Sequence, residues 1–373
     1  MNMKRRELIG GAAGVTAVAS MAPFNLFAAD AAGKAAKPLR ILFLGGTGFI
    51  GPHMVRHAVE RGHTVTLFNR GRNADEFPDL EQLTGDRDGK IEALKGRQWD
   101  AVVDNSGYVP RHVDDSAKML AASGTPHYLF ISTVSVYANL SPPGMDESAP
   151  LATIPDPTVE EVTGETYGAL KVLCEQAVEK NYPGANTILR PTYIIGPGDH
   201  TDRFIYYIDR PLAGGRMPVP GPQSLAINYV DVRDLAAFTI RSLEERIYGT
   251  YNMVNPPGDT TFGDVMRESL AASGAAPGLV WITPEFMKEH GLEWLFPMCP
   301  SPLDAPGHGH VSQAAAVGKG FTNRPFTETV KATYDWWMEQ TPERRQQAAK
   351  SLPMDVQEAW LKAVDGAEAE SAS

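Results

Sequence analysis

The sequence predicts an α/β protein: a doubly wound parallel sheet with a small, interleaved C-terminal cap. Three observations carry that prediction. Apolar runs of strand length alternate with helical stretches from residue 38 onward. The first run ends in Gly45-Gly46-Thr47-Gly48-Phe49-Ile50-Gly51, a glycine-rich turn that leads into a helix. After residue 190 the texture changes to short segments punctuated by glycine and proline.

The elements follow in order. Residues 39–44 form an apolar run ending in glycines, as a buried parallel strand should. Residues 52–61 read as a helix, with Pro52 in its first turn and Gly62 closing it. Residues 64–68 are a second strand, and a third precedes Gly85. Residues 101–103 and 127–131 are two more, separated by a helix over 113–122. Residues 138–163, rich in Pro, Asp, Glu and Thr, read as a long surface loop. A helix over 166–180 and a strand over 185–189 come next. Gly196-Pro197-Gly198 and Pro256-Pro257-Gly258 favour a cap of loops and small helices over a regular sheet. Residues 227–232 and a helix over 234–243 read as a return to the main domain, and the tail from Thr341 as surface helices over 346–352 and 356–364. The resulting division is a leader over 1–31, a dinucleotide-binding domain over 38–190 joined by 227–250, a cap over 191–226 and 251–340, and a polar helical tail over 341–373.

Composition bounds the function. The 373 residues are 43% hydrophobic and 21% charged, ordinary for a soluble enzyme. Two cysteines, Cys174 and Cys299, exclude a disulfide framework and a cysteine-rich metal site. His53 and His57, and His308 with His310, lack the carboxylates or cysteines of a metal site, so no metal is expected. A formal charge of -11 disfavours nucleic-acid and anionic-membrane partners. At the N-terminus a short basic stretch precedes a weakly apolar run over 9–22 and small residues that include Ala29-Asp30-Ala31. Lys4-Arg5-Arg6-Glu7-Leu8-Ile9 resembles the twin-arginine export signal of bacteria. That resemblance implies passage through the twin-arginine machinery to the periplasm. The apolar run is too short to span a membrane comfortably, so no stable insertion is expected once the signal is removed.

The chemistry lies in three motifs taken together. The glycine turn reads as Gly45-x-x-Gly48-x-x-Gly51 or Gly46-x-Gly48-x-x-Gly51, and carries Phe49 and Ile50. Its glycines let the backbone approach a pyrophosphate whose charge rests on the following helix N-terminus. The second strand ends in Asn69, not the acidic residue that would accept the ribose hydroxyls of NAD, and Arg70, Gly71 and Arg72 follow. A neutral residue beside a guanidinium suits a 2′-phosphate, so NADP is favoured over NAD; the bland alternative makes Arg70 a solvated turn residue. Asp86 and Arg87 follow the third strand, where a carboxylate suits an adenine amino group, and Ser106 lies in the polar turn after the fourth. Tyr167 and Lys171 stand four apart on a helix and project from one face. A neighbouring ammonium and an oxidised nicotinamide would favour the phenolate of a residue that ordinarily titrates near 10. Thr133 ends an apolar strand and can hydrogen-bond a reacting oxygen, with Ser132 and Ser135 as competitors. His200, Asp202 and Arg203 follow Gly196-Pro197-Gly198 and are candidates for the substrate wall.

Taken with Leu189-Arg190-Pro191-Thr192-Tyr193 and Ile227-Asn228-Tyr229-Val230-Asp231-Val232, these motifs make the chain resemble an extended short-chain dehydrogenase/reductase of the NAD-dependent epimerase/dehydratase family. The resemblance implies a Rossmann-type domain, with Thr133 as hydroxyl donor, Tyr167 as acid/base and Lys171 as partner of ribose and phenolate. It also puts Pro191 and Tyr193 beside the nicotinamide. Family dehydratases carry Asp-Glu after the threonine, where this chain has Val134-Ser135. Family epimerases mostly act on nucleotide sugars, which an exported enzyme would rarely meet. The expected activity is therefore reversible oxidation of a secondary alcohol, or reduction of a ketone, on a sugar-like or small carbonyl substrate. A sugar epimerase that keeps its cofactor, and a non-catalytic dinucleotide- or RNA-binding relative, are the alternatives.

Overall fold

Seven strands build one parallel sheet in a computed structural model that describes residues 33–293, 295–299, 306–348 and 352–371. The strands are β1 (Arg40–Leu44), β2 (Thr64–Asn69), β3 (Glu81–Thr84), β4 (Ala101–Asp104), β5 (Tyr128–Ile131), β6 (Asn186–Pro191) and, much later in the chain, β10 (Gly249–Met253). Their spatial order is β10-β6-β5-β4-β1-β2-β3. The chain thus starts at the centre, winds outward to β3, then returns to wind the other way, the doubly wound topology expected. The apolar run of β1 is continuous because both faces are covered. Ile41 and Phe43 pack among residues of α1 (Ile50–Glu60) and α5 (Val232–Glu245), and Leu42 and Leu44 among those of α2 (Pro110–Ala122) and α3 (Tyr167–Asn181). The expected leader over 1–31 lies outside the described residues. No described helix is long and apolar enough to cross a membrane.

The chain beyond residue 190 differs from expectation in three ways. It contains regular sheet: β7 (Tyr193–Ile195) pairs with β9 (Tyr229–Asp231), and β8 (Arg216–Pro220) with β11 (Gly278–Ile282), all parallel. Of these strands only β8 carries prolines, Pro218 and Pro220, and they are tolerated because β8 has one neighbour only, so a missing N–H need not break a ladder. Second, residues 229–231 pair with β7 and not with the main sheet; the return is made by α5, against α1, and by β10, which runs past residue 250 to pair with β6. Within the segment assigned to the cap, Ala316 of α8 (Ala314–Gly318) and Phe321 also rejoin the main core, Phe321 5.5 Å from Phe238 between ring centroids.

Third, the tail is packed and not a surface appendage. Helices α4 (Ile205–Asp209), α6 (Phe262–Ser273), α7 (Pro284–Glu289) and α9 (Phe326–Met338) contribute to a second core. Ala348 of α10 (Pro342–Ala348), Leu352, and Trp360 of α11 (Met354–Ser371) complete it, Trp360 being 2% exposed against Phe296. A few apolar anchors in polar helices suffice, and they lack the regular period that marks a buried face in sequence.

Candidate active site

A cavity of about 770 Å³ lies at the carboxyl ends of β1, β2, β4, β5 and β6, where an α/β sheet places its ligands. Its first wall is the β1–α1 turn. Gly45 and Gly46 adopt φ of +107° and +98°, and a Cβ on Gly51 would stand 2.5 Å from the Gly46 carbonyl carbon. Gly51 therefore lies beneath the wall and lets the helix close on the turn, while Gly45, Gly48, Phe49 and Ile50 line the cavity. A Cβ on Gly48 would meet nothing within 4 Å.

The second wall comes from the ends of β2 and β4. Asn69 Oδ1 accepts from the Gly71 amide at 2.7 Å, so the carboxamide builds the turn that presents Arg70 and Arg72. Both arginines are exposed, line the cavity and make no ion pair among the described residues. Asp86 lines it too. Arg87 reaches it but is committed elsewhere: it pairs with Asp104 and donates to Ser116 Oγ at 2.7 Å and the His112 carbonyl at 3.1 Å. Tyr128 donates to the other Asp104 oxygen at 2.6 Å. Arg87 thus neutralises a buried carboxylate and braces the end of β4. Ser106 Oγ donates to the Leu44 carbonyl at 2.8 Å. Neighbouring Asn105 keeps a buried Oδ1 with no partner among the described residues, directly over Gly45.

The third wall holds the reacting groups. Lys171, 3% exposed, donates to the Gly107 and Ile131 carbonyls, both at 2.7 Å, with its Nζ 4.0 Å from the Phe130 ring centroid. Burial pulls its ammonium down to about 8. Tyr167, at the start of α3, is half-buried and stands 6.3 Å from Tyr108 between ring centroids. Burial, and then the Tyr108 phenol, hold its phenol well above 10, while the Thr133 hydroxyl and the Arg203 guanidinium act in the opposite sense. The expected lowering is therefore reversed in the chain by itself: desolvation dominates, and the ammonium is engaged by carbonyls.

Thr133 precedes a single helical turn over Val134–Val136, where its Oγ1 accepts from the Ser135 amide at 3.1 Å and donates to Ser135 Oγ at 3.2 Å. Of the competitors, Ser132 spends its hydroxyl on Glu175 at 2.5 Å, inside a buried pair with Arg190. Ser135 is exposed and lines the cavity. A Cβ on Gly168 would stand 2.2 Å from the Ser135 carbonyl oxygen, so this glycine sets how closely α3 approaches Thr133.

The last wall belongs to the cap. Pro191 and Tyr193 lead out of β6 along the cavity, and His200, Thr201 and Arg203 face them. Arg203 Nε donates to Thr201 Oγ1 at 3.1 Å, with the guanidinium 5.1 Å above the Tyr193 ring. Asp202 does not join them; its carboxylate turns away to Arg344, a correction to its expected substrate role. Sequence reasoning missed Tyr108, Thr201, Gly168 and the individual weight of Asn105. Only Tyr108 and Asn105 had a signal, their place in or beside the turn after β4.

A doubly wound sheet whose glycine turn, hydroxyl residue and Tyr-Lys helix share one cavity is the architecture of an extended short-chain dehydrogenase/reductase. The chain belongs to the NAD dependent epimerase/dehydratase family, whose model matches residues 41–253. The chloroplast stem-loop binding protein of 41 kDa b from Arabidopsis thaliana is 28% identical over 225 residues, 54% of this chain and 54% of that protein. The 2-alkyl-3-oxoalkanoate reductase of Stenotrophomonas maltophilia is 29% identical over 229 residues, 54% of this chain and 64% of the reductase. The match thus spans between half and two thirds of these curated relatives. Among solved structures, the Bordetella bronchiseptica enzyme WbmG in complex with NAD and UDP superposes with a TM-score of 0.63 at 18% identity, over 81% of this chain and 96% of that one. At that identity the likeness concerns the fold.

Proposed function

We propose that the protein is an NAD(P)-dependent oxidoreductase acting on a secondary alcohol or ketone of a sugar-like or small carbonyl substrate. The observation that carries the reading is the convergence of Thr133, Tyr167 and Lys171 on the cavity that the glycine turn walls. The cavity fits a dinucleotide by its own features. Two glycines with positive φ and open space over Gly48 leave room for a pyrophosphate, and the orphaned Asn105 acceptor offers a partner for a donor lying across the sheet edge. Arg70 and Arg72, which make no ion pair among the described residues, favour the phosphorylated dinucleotide. When bound, the nicotinamide supplies the hydride acceptor or donor.

The remaining work falls to the chain. The Thr133 hydroxyl hydrogen-bonds the reacting oxygen, and Tyr167 gives or takes the proton there. A phenol held above 10 is a ready donor for ketone reduction near neutrality, and positive charge close by is needed for the reverse direction. Lys171 is fixed by two carbonyls with a third donor left for a ribose hydroxyl. Val134 and Ser135 provide no acid and base for removing water, so dehydration is not supported.

Tyr167→Phe tests the reading, since it removes one oxygen and leaves the fold. With substrates drawn from a screen of sugars and simple ketones, turnover should fall by about 10²–10⁴-fold while dinucleotide affinity is retained. A variant as fast as the parent would leave a binding protein, the function printed for the Arabidopsis relative. Intact catalytic groups and the charge of -11 argue against that alternative. An epimerase reading has the architecture in its favour and predicts nucleotide that stays bound through purification. Export through the twin-arginine route belongs to the same proposal, supported by Lys4-Arg5-Arg6 and the small-residue stretch after it. Changing Arg5 and Arg6 together to lysine should leave active protein in the cytoplasm, and continued appearance in the periplasmic fraction would exclude the route.

A further inference from the structure

The loop that brings His200, Thr201 and Arg203 to the cavity is held from outside. Asp202 stands at φ +59°, in the left-handed region where a side chain is less at ease than glycine. Its carboxylate accepts two bonds from Arg344 of α10, from Nη1 to Oδ2 at 3.0 Å and from Nη2 to Oδ1. The partners are 142 residues apart, and their side chains are 15% and 22% exposed. Behind the pair, the Arg344 guanidinium lies 5.2 Å from the Trp337 ring, whose Nε1 donates to Asp209 at 2.7 Å. The inner side of the loop is tied as well: Asp199 Oδ1 accepts from the Thr201 amide at 2.8 Å and from its hydroxyl at 2.6 Å. His200, Thr201 and Arg203 are thus presented inward by a backbone step that Asp202 makes outward.

A bidentate, half-enclosed arginine–carboxylate pair backed by an indole is geometrically specific in a way that solvated surface pairs are not. We propose that Asp202–Arg344 is a positioning clasp through which the C-terminal helices set the substrate-facing loop. The tail then controls substrate affinity and leaves the dinucleotide half of the cavity alone. This rests on the reading of the loop as substrate wall.

The test uses the full chain loaded with NADPH. In Arg344→Gln, hydrogen exchange in a peptide covering residues 199–204 should accelerate, while a peptide covering 64–72 and the NADPH affinity stay as in the parent. Asp202→Gly keeps the left-handed backbone available without the pair, so it should hold the loop better than Asp202→Ala, which loses the pair and retains the strain. With a substrate from the carbonyl screen, Arg344→Gln should raise KM by roughly tenfold and lower kcat by a clearly smaller factor, since Arg203 of the same loop also faces the Tyr167 phenol. Unchanged loop exchange, or a parental KM, overturns the clasp. If the parent itself transfers no hydride, the oxidoreductase reading has failed, and loop exchange alone decides the clasp.

Discussion

Asn69 and Arg70 show how one side chain sets the chemistry of the next. Asn69 has no carboxylate to offer the ribose hydroxyls, and by accepting from the Gly71 amide its carboxamide builds the turn that presents Arg70 to the cavity. A 2′-phosphate would meet a guanidinium that no carboxylate among the described residues pairs, although Asp86 lines the same cavity. NADP should therefore bind more tightly than NAD, and Arg70→Ala should erase most of the difference. Loss of such a charge-assisted contact costs about 1.5–3 kcal/mol, roughly tenfold to a hundredfold in affinity. Equal affinities for the two nucleotides in the unmodified protein, by calorimetry, would make Arg70 a solvated turn residue.

Among elements, the seating of α3 decides the geometry of the reacting groups. Gly168 separates Tyr167 from the rest of the helix and abuts the Ser135 carbonyl, so Gly168→Ala must push α3 off the turn over Val134–Val136. We expect a stability loss of about 1–3 kcal/mol, as for overpacking, with a larger loss of turnover because Tyr167 and Thr133 are separated. Denaturant titration beside steady-state rates would show it; a fully active Ala variant would mean the contact relaxes freely. In sequence this glycine looks like a spacer inside Tyr-x-x-x-Lys, since close approach by a distant carbonyl leaves no local mark. The main sheet was legible for the opposite reason. Burial on both faces makes β1 apolar from Ile41 to Leu44, and the turn glycines answer to strictly local constraints. The cap strands β7, β8, β9 and β11 were not legible, because two-stranded pairings tolerate proline and impose no alternation. Asp202 was misread because its orientation is set by Arg344, far along the chain.

At the scale of the whole molecule, burial of two imidazoles ties stability to pH. His53 donates to the Pro197 carbonyl at 2.8 Å, and His127 to Thr187 Oγ1 at 2.8 Å; burial pushes each down to about 4. Folding thus binds fewer protons than the unfolded chain between pH 6.5 and 4. Stability should be level above 6.5 in this respect and fall as pH drops toward 4, by up to about 3 kcal/mol for each histidine. Urea midpoints measured from pH 7 to 4.5 should show the decline, and His127→Gln should reduce it by about half, His53 supplying the rest; a parent insensitive to pH over that range would contradict both assignments. The path of the chain has one more consequence. It passes between main domain and cap beyond Pro191, where α5 begins at Val232, after β10, and again on either side of the stretch holding Ala316 and Phe321. A hinge closes easily when one or two linkers bend, whereas here every crossing would have to bend in concert. The cleft is therefore a stiff seam, and passage of substrate falls to loop displacements at its rim and not to a swing of the cap.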